Sequence, residues 1–141
     1  TTLDKLFTAD QQKGMDIYTT RFFESGVLLN EGNGAFRFVP FPEKAQLSNI
    51  NDMVIDDFDK DGIKDILVCG NSNDAAVMVG NYDAAAAALL QGNGKGAFSV
   101  MPHTVDGLKV RGESRKMVYW KDNKTLIILK NSAPAQVYRL N

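Results

Sequence analysis

An aspartate-rich stretch between two short apolar runs constrains this chain more than any other feature. Residues 57–65 read DFDKDGIKD, so four of the nine residues carry carboxylates. Carboxylates this close together repel one another unless a cation neutralises them. Calcium takes six to eight oxygen ligands, and a short loop supplies several of them when it curls around the ion. The stretch therefore predicts a calcium loop, with an acidic, solvated turn as the alternative.

The order of residues in this stretch gives each predicted ligand a role. Aspartates at loop positions one, three and five point inward, and glycine at position six, here Gly62, permits the sharp turn. Position seven offers a backbone carbonyl, and position nine adds a further carboxylate. The predicted calcium ligands are therefore the side chains of Asp57, Asp59, Asp61 and Asp65 and the backbone carbonyl of Ile63.

The loop does not fit an EF-hand. That motif requires a bidentate glutamate at position twelve, where this chain has Val68, and a helix on each side. The flanking runs, residues 53–55 and 66–68, are short and rich in β-branched residues, as strands are. We therefore expect the loop to lie between two strands.

Length and composition narrow the class of protein. The chain has 141 residues, the length of one ordinary domain, and its 44% hydrophobic content is enough for a packed core. A net charge of −1 gives no electrostatic footprint for nucleic acid, and no run approaches the ~20 apolar residues of a membrane span. The single cysteine, Cys69, lies in an apolar run and is predicted to be a buried core residue.

Strands are predicted along most of the chain, after a helical lead-in over residues 1–14. Before the calcium loop we expect one or two strands over residues 15–29, a strand over residues 35–41 and a polar connection over residues 43–52. After the loop we expect a turn over residues 70–74, a strand over residues 75–79, a connection over residues 80–83 and a final strand over residues 135–140.

An internal repeat links the two halves of the chain. The segment LLNEGNGAF at residues 28–36 recurs as LLQGNGKGAF at residues 89–98, and residues 116–120 and 126–131 mirror the strands around the calcium loop. Repeats made only of strands indicate β-propeller blades or a similar array. The repeat also favours a strand over residues 84–90, where the run of alanines alone would predict a helix.

The two copies of the repeat differ in the loop. Residues 121–125, KDNKT, are shorter than the calcium loop and hold one carboxylate and two lysines, so they predict a plain tight turn. The expected fold class is all-β with a short N-terminal helix: antiparallel, propeller-like blades forming about two repeats over residues 15–141, the second with a degenerate loop.

These motifs resemble the FG-GAP or VCBS-type repeats of extracellular β-propellers. The aspartate loop at Asp57–Asp65 and the turn-plus-phenylalanine segments ending at Phe36 and Phe98 carry the resemblance, which covers about residues 23–131. It implies a structural calcium ion within a blade, held by the five ligands named above, and ligand binding on the loops of a propeller face. A propeller needs at least four blades, so the resemblance also implies missing blades or a partner chain that completes the ring.

No catalytic constellation is recognisable in the sequence. The one histidine, His103, is predicted to lie in a surface loop, and the glycine-rich segment at residues 92–96 predicts a hairpin turn and no phosphate site. The leading hypothesis is a non-catalytic, calcium-stabilised β-propeller segment that recognises a protein or glycan ligand. It would act outside the cell, at the cell surface or in the periplasm. The alternatives are an accessory domain of a secreted carbohydrate-active or other hydrolytic enzyme, and a purely structural scaffold.

Overall fold

The structure, a computed structural model, describes residues 2–72, 86–102 and 108–140 and is built almost entirely of antiparallel strands. This confirms the all-β prediction. In chain order its elements are α1 (Leu3–Leu6), α2 (Ala9–Gln12), β1 (Gly26–Gly32), β2 (Ala35–Pro40), a 3₁₀ helix (Glu43–Gln46), β3 (Ile50–Asp56), β4 (Asp65–Gly70), β5 (Ala87–Gly92), β6 (Phe98–Val100), β7 (Ser114–Trp120), β8 (Thr125–Lys130) and β9 (Gln136–Arg139).

The strands form three antiparallel sheets in which chain neighbours pair. Sheet 1 contains β1 and β2, sheet 2 contains β3 to β6 in order, and sheet 3 contains β7 to β9 in order. Three sheets of two, four and three strands do not show a closed ring, so the propeller stays a prediction. Across the described ranges we find no helix with the length and apolar character that crossing a membrane requires.

The hairpins β3–β4 and β7–β8 pair in the same register. Each closes on a pair of residues, Asp56 with Asp65 and Trp120 with Thr125. Each also shifts register near its open end, at Ile50–Asp52 in one hairpin and at Ser114–Lys116 in the other. Position for position, β3 therefore corresponds to β7 and β4 to β8, although the connecting loops differ in length.

Strands β4 and β5 lie at the centre of the fold, because apolar clusters cover both faces of sheet 2 at these strands. All six residues of β4 are buried, as expected for a continuous apolar run covered on both sides. One cluster joins sheet 2 to sheet 3 and contains Leu67, Cys69, Ala87, Leu89, Leu108, Met117, Leu126 and Ile128. A second cluster lies on the opposite face, with Val27 of sheet 1 packed against it, and contains Phe41, Ala45, Ile66, Val68, Ala88 and Leu90.

Cys69 is a core residue, as predicted. It is fully buried in the cluster between sheets 2 and 3. Burial, aided by the negative charge of Asp52, raises the pKa of the Cys69 thiol to about 11. A thiol with so high a pKa is protonated at neutral pH and is therefore a poor nucleophile.

Two predictions for the N-terminal region are corrected, the single helical lead-in over residues 1–14 and the start of the first strand. The lead-in forms two single-turn helices, and neither has a buried residue. Thr8 causes the break, because it begins α2 with a reciprocal capping box in which its side chain and that of Gln11 bond each other's backbone N–H. Residues 15–25 belong to no helix or strand, so the strand expected over residues 15–29 begins only at Gly26.

The polar connection over residues 43–52 is also corrected. It contains the 3₁₀ helix Glu43–Gln46, and β3 begins inside it at Ile50, which pairs with Gly70. The Gln46 side chain fixes this segment to the start of β1, since it accepts a hydrogen bond from the Ser25 N–H and donates one to the Ser25 carbonyl, at 2.9 and 2.8 Å.

The alanine-rich segment forms a strand from Ala87 onward, as the repeat predicted. Ala87 and Ala88 pair with Cys69 and Val68 and are buried, so tertiary packing outweighs the helical propensity of alanine. The strand predicted over residues 75–79, the connection over residues 80–83, the first two residues of the alanine segment and His103 lie outside the described residues.

Candidate metal centre

The predicted calcium loop leaves the end of hairpin β3–β4 and curls back on itself. Lys60 and Gly62 adopt left-handed backbone conformations, with φ of 67° and 86°. An added Cβ at Gly62 would meet no atom within 4 Å, so glycine is favoured here by its backbone conformation and not by lack of space. The curl brings alternate side chains of the loop to one side.

Three carboxylates converge as a result of this curl. Asp57, Asp59 and Asp61 each present an oxygen, and these oxygens lie within 4.8 Å of one another. Asp57 is half-buried, whereas Asp59 and Asp61 are exposed. All three donors are hard anionic oxygens, the ligand type that calcium prefers. This group can therefore hold a metal ion.

Backbone N–H groups of the loop hold the three carboxylates in place. The Asp61 N–H donates to oxygens of both Asp57 and Asp59, each at 3.1 Å. The Gly62 N–H donates to the other Asp57 oxygen at 3.0 Å, and the Ile63 N–H donates to Asp61 at 2.7 Å. These bonds within the loop orient all three side chains.

Asp65 occupies a different environment from the other three aspartates. Its side chain is fully buried and accepts hydrogen bonds from the Phe58 N–H at 3.1 Å and the Gly92 N–H at 2.9 Å. It therefore joins the start of the loop and β5 to the first residue of β4. The converging group consists of Asp57, Asp59 and Asp61. Metal ligation by Asp65 and by the Ile63 carbonyl therefore stays a prediction.

The glycine-rich turn after β5 supports the loop from the side. An added Cβ at Gly92 would lie 2.2 Å from the Lys64 carbonyl oxygen, and one at Gly94 would lie 3.5 Å from the Ile63 side chain. Gln91 donates a hydrogen bond to Asp59. The sequence predicted this hairpin turn but not its contact with the loop. A glycine at the end of an otherwise apolar strand is the signal that could have indicated a close backbone approach.

A buried carboxylate at the base of the loop connects it to sheet 3. Asp56 accepts from the ammonium groups of Lys121, at 2.7 Å, and Lys64, at 3.1 Å. The hydrogen bond from Lys121 is the main cause that lowers the pKa of Asp56 to about 2, while burial opposes the shift. Asp56 therefore stays ionised and links the loop to the turn of the second repeat.

The two loops of the repeat lie side by side. The ammonium group of Lys60 lies close enough to that of Lys124 to lower the pKa of Lys124, the direction expected for two neighbouring like charges. Residues 121–124 form a tight turn, as predicted, in which the Lys124 N–H donates to the Lys121 carbonyl. This turn places cationic side chains beside the acidic loop.

Comparison of the chain with models of protein families, with curated proteins and with solved structures gives no match.

Proposed function

We propose that the loop over residues 57–65 binds one calcium ion that stabilises sheet 2. The chain would serve as a non-catalytic, β-propeller-type segment that recognises a protein or glycan ligand. The convergence of Asp57, Asp59 and Asp61 on one side of a curled loop is the observation that carries this proposal.

The donor set favours calcium over other biological cations. It contains only oxygen atoms, whereas zinc sites in proteins draw on histidine and cysteine. Magnesium demands a near-ideal octahedral geometry and keeps several waters, while calcium accepts the irregular arrangement of a solvent-accessible loop. When bound, the ion would be held by Asp57, Asp59 and Asp61 and would neutralise their mutual repulsion.

The position of the loop supports a structural role for the ion. The loop joins β3 to β4, and β4 is buried on both faces at the centre of the fold. Its base is fixed to β5 by Asp65 and to sheet 3 by Asp56. A cation that orders the loop would therefore stabilise three neighbouring strands and the contact between two sheets.

The exposure of the loop supports a location where calcium is abundant. Sites with few protein carboxylates and open coordination bind in the range of 10⁻⁴–10⁻³ M, typical of extracellular modules. We therefore propose that the protein acts outside the cell, at its surface or in the periplasm.

Calcium titration calorimetry on the whole chain tests the site. We expect one ion per chain and at least a tenfold weaker affinity for Asp61→Asn, because this change removes one of the three converging carboxylates. Asp122→Asn is the matched control, since it removes the exposed carboxylate of the corresponding turn in the second repeat. Equal binding by wild type and Asp61→Asn would contradict the proposed site.

Recognition is tested separately, with glycan and surface-protein arrays probed in calcium and in excess chelator. Binding that is seen in calcium, and lost together with calcium affinity in Asp61→Asn, would support the proposal. An array that stays blank with the calcium-loaded protein would contradict the recognition role while leaving the metal site intact.

A further inference from the structure

A cleft of about 680 Å³ opens beside the start of β3. Residues that precede β1 and residues 46–50, which lead from the 3₁₀ helix into β3, form most of its wall. This volume lies within the range of small-ligand sites in proteins. Ile50 pairs with Gly70 at the open end of hairpin β3–β4, whereas the calcium loop lies at the other end. Because β3 has seven residues, about 20 Å of strand separates the cleft from the loop.

The wall of the cleft is uncharged and chemically mixed. The described residues that line it include three serines and two residues with side-chain amides, and none of them carries a charge. Apolar side chains lie among these polar groups, and the most exposed of them are Phe23 and Leu47. Hydroxyls and amides both donate and accept hydrogen bonds, while a phenyl ring offers a flat apolar surface. A sugar ring presents complementary groups, with hydroxyls around its edge and C–H groups on its face.

The wall formed by Gln46 favours a ligand that binds through side chains. The Gln46 amide accepts from the Ser25 N–H and donates to the carbonyl oxygens of Ser25 and Phe41, at 2.9, 2.8 and 3.0 Å. An extended peptide binds by pairing with the backbone N–H and C=O groups of a strand edge. At Ser25 both backbone groups already bond Gln46, so the cleft offers no such edge there. The geometry therefore favours a saccharide over a peptide.

Asn49 is held at the cleft by a chain of hydrogen bonds. The Ser48 hydroxyl donates to the Asn49 side-chain oxygen at 3.4 Å, and the Asn49 amide nitrogen donates to the Asn51 side-chain oxygen at 2.6 Å. The Asn51 amide nitrogen in turn donates to the carbonyl oxygens of Asn71, at 3.2 Å, and Ser114, at 2.8 Å. A polar group that is fixed in this way loses less conformational freedom when a ligand binds, so the cleft is partly pre-organised.

We infer that this cleft binds an uncharged saccharide. Phe23 contacts the apolar face of one sugar ring, Leu47 extends the apolar surface, and the Asn49 amide bonds hydroxyls of the sugar. The absence of a charged side chain from the lining residues selects against sugars that carry carboxylate or sulfate groups. The inference rests on the recognition role proposed above and gives that role a ligand class and a location.

Titration of short neutral oligosaccharides into the calcium-loaded whole chain, followed by NMR of the backbone amides, tests the site. The probes are gluco-, manno- and galacto-oligosaccharides. Oligogalacturonides of the same lengths serve as the charged comparison, and short uncharged peptides serve as the peptide comparison. We expect a neutral oligosaccharide to shift the amide signals of residues 23–25 and 46–50, and the two comparison sets to leave these signals in place.

Two variants of adjacent phenylalanines identify the contact. Phe23→Ala should weaken saccharide binding about tenfold, because it removes the aromatic surface of the cleft. Phe22→Ala is the matched control and should bind as the wild type does. Phe22 is 73% exposed, close to the 85% of Phe23, but its ring packs on Phe38 at 6.0 Å between centroids and does not line the cleft. Circular dichroism verifies that both variants are folded, and calorimetry should give both the calcium affinity of the wild type.

Three results would overturn the inference. Neutral oligosaccharides that leave the signals of residues 23–25 and 46–50 unshifted would show that the cleft does not take them. An equal loss of affinity in Phe22→Ala and Phe23→Ala would place the contact elsewhere. Shifts at these residues with oligogalacturonides or peptides, and none with neutral oligosaccharides, would assign the cleft to another ligand class.

A failure of the proposed function has a different signature. A wild type that binds no calcium would contradict the metal site, and a chain that binds no ligand of any class would contradict the recognition role together with the cleft. Binding of a ligand away from residues 23–25 and 46–50, with calcium affinity intact, would contradict the cleft alone.

Discussion

The hairpins β3–β4 and β7–β8 have the same strand pairing but different loops. Both close on one residue pair and shift register at the same point near their open ends. Between the strands, the first hairpin has eight residues (57–64), with three converging carboxylates, and the second has four (121–124), with one carboxylate. Pairing is fixed by which side chains face the core, because a one-residue slip would move every one of them to the other face. The loop beyond the closing pair is not constrained by this pairing, so it can differ in length and in carboxylates between the two hairpins.

The same comparison also shows that burial depends on the neighbouring sheet as well as on the residue. Met53 and Met117 occupy the same position in the repeat, yet only Met117 is covered. The following predictions test how far the two hairpins are equivalent, beginning with the largest expected effect.

Truncation of Met117 and of Met53 to alanine should give the largest difference in stability between the two hairpins. Met117→Ala removes a buried side chain and should lower the free energy of unfolding by about 2–5 kcal/mol. Met53→Ala should lower it by less than about 1 kcal/mol, because the side chain is largely exposed. Urea unfolding curves measure both. Equal losses would contradict the different burial of the two methionines.

The first residue of β4 should matter more than its counterpart in β8. Asp65→Ala leaves the N–H groups of Phe58 and Gly92 without their acceptor and should cost about 2–3 kcal/mol in the presence of chelator. Thr125→Ala should cost less than about 1 kcal/mol, because the Thr125 N–H bonds Asn123 and keeps that partner. Urea unfolding without calcium is the measurement. A loss in Asp65→Ala that appears only with calcium would show that Asp65 acts through the ion alone.

Acid should weaken the first hairpin through Asp56, which has no titrating counterpart because the same position in β7 is Trp120. The pKa of Asp56 is lowered from 3.8 to about 2 in the folded protein, so its stabilising effect is complete above pH 4 and is lost as the pH falls toward 2. Water screens the exposed lysine partners, so we expect a loss of about 1 kcal/mol.

Unfolding by urea at several pH values between 2 and 6 measures this effect. In Asp56→Asn the stability should vary less with pH over this range, while Asp122→Asn should follow the wild type. An unchanged pH profile in Asp56→Asn would show that the bonds to Lys121 and Lys64 contribute no stability.

Strands with a strong local pattern were predictable from the sequence, and features fixed by distant contacts were not. The apolar run Ile66–Cys69 and the segment Lys116–Trp120 indicated strands before any partner was known. The start of β3 at Ile50 was not visible, because Asn51 and Asp52 are polar and pair with β4 through a register shift. The β-forming residues over 15–25 led us to predict a strand that begins at residue 15, but residues 15–25 belong to no strand and β1 begins at Gly26.

In the candidate site, too, contacts within the loop were predictable from the sequence and contacts with distant residues were not. Asp57, Asp59 and Asp61 are held by N–H groups of their own loop, so their spacing alone predicted that they would meet. The partners of Asp56 and Asp65 lie in other strands and turns, and Lys121 is 65 positions away from Asp56. No pattern within the loop could reveal contacts over that separation.

The most direct test of the central claim, that the first repeat carries a structural calcium site which the second lacks, is a thermal melt in calcium and in excess chelator. The samples are wild type, Asp61→Asn and Asp122→Asn. A ligand bound only by the folded state stabilises by about 2.7 kcal/mol at a hundredfold excess over its dissociation constant. We predict that calcium raises the melting temperature of wild type and Asp122→Asn and raises that of Asp61→Asn by much less, because its weaker site fills only at higher calcium. Identical wild-type melts with and without millimolar calcium would contradict the claim, and so would a calcium-dependent rise in Asp61→Asn as large as that of the wild type.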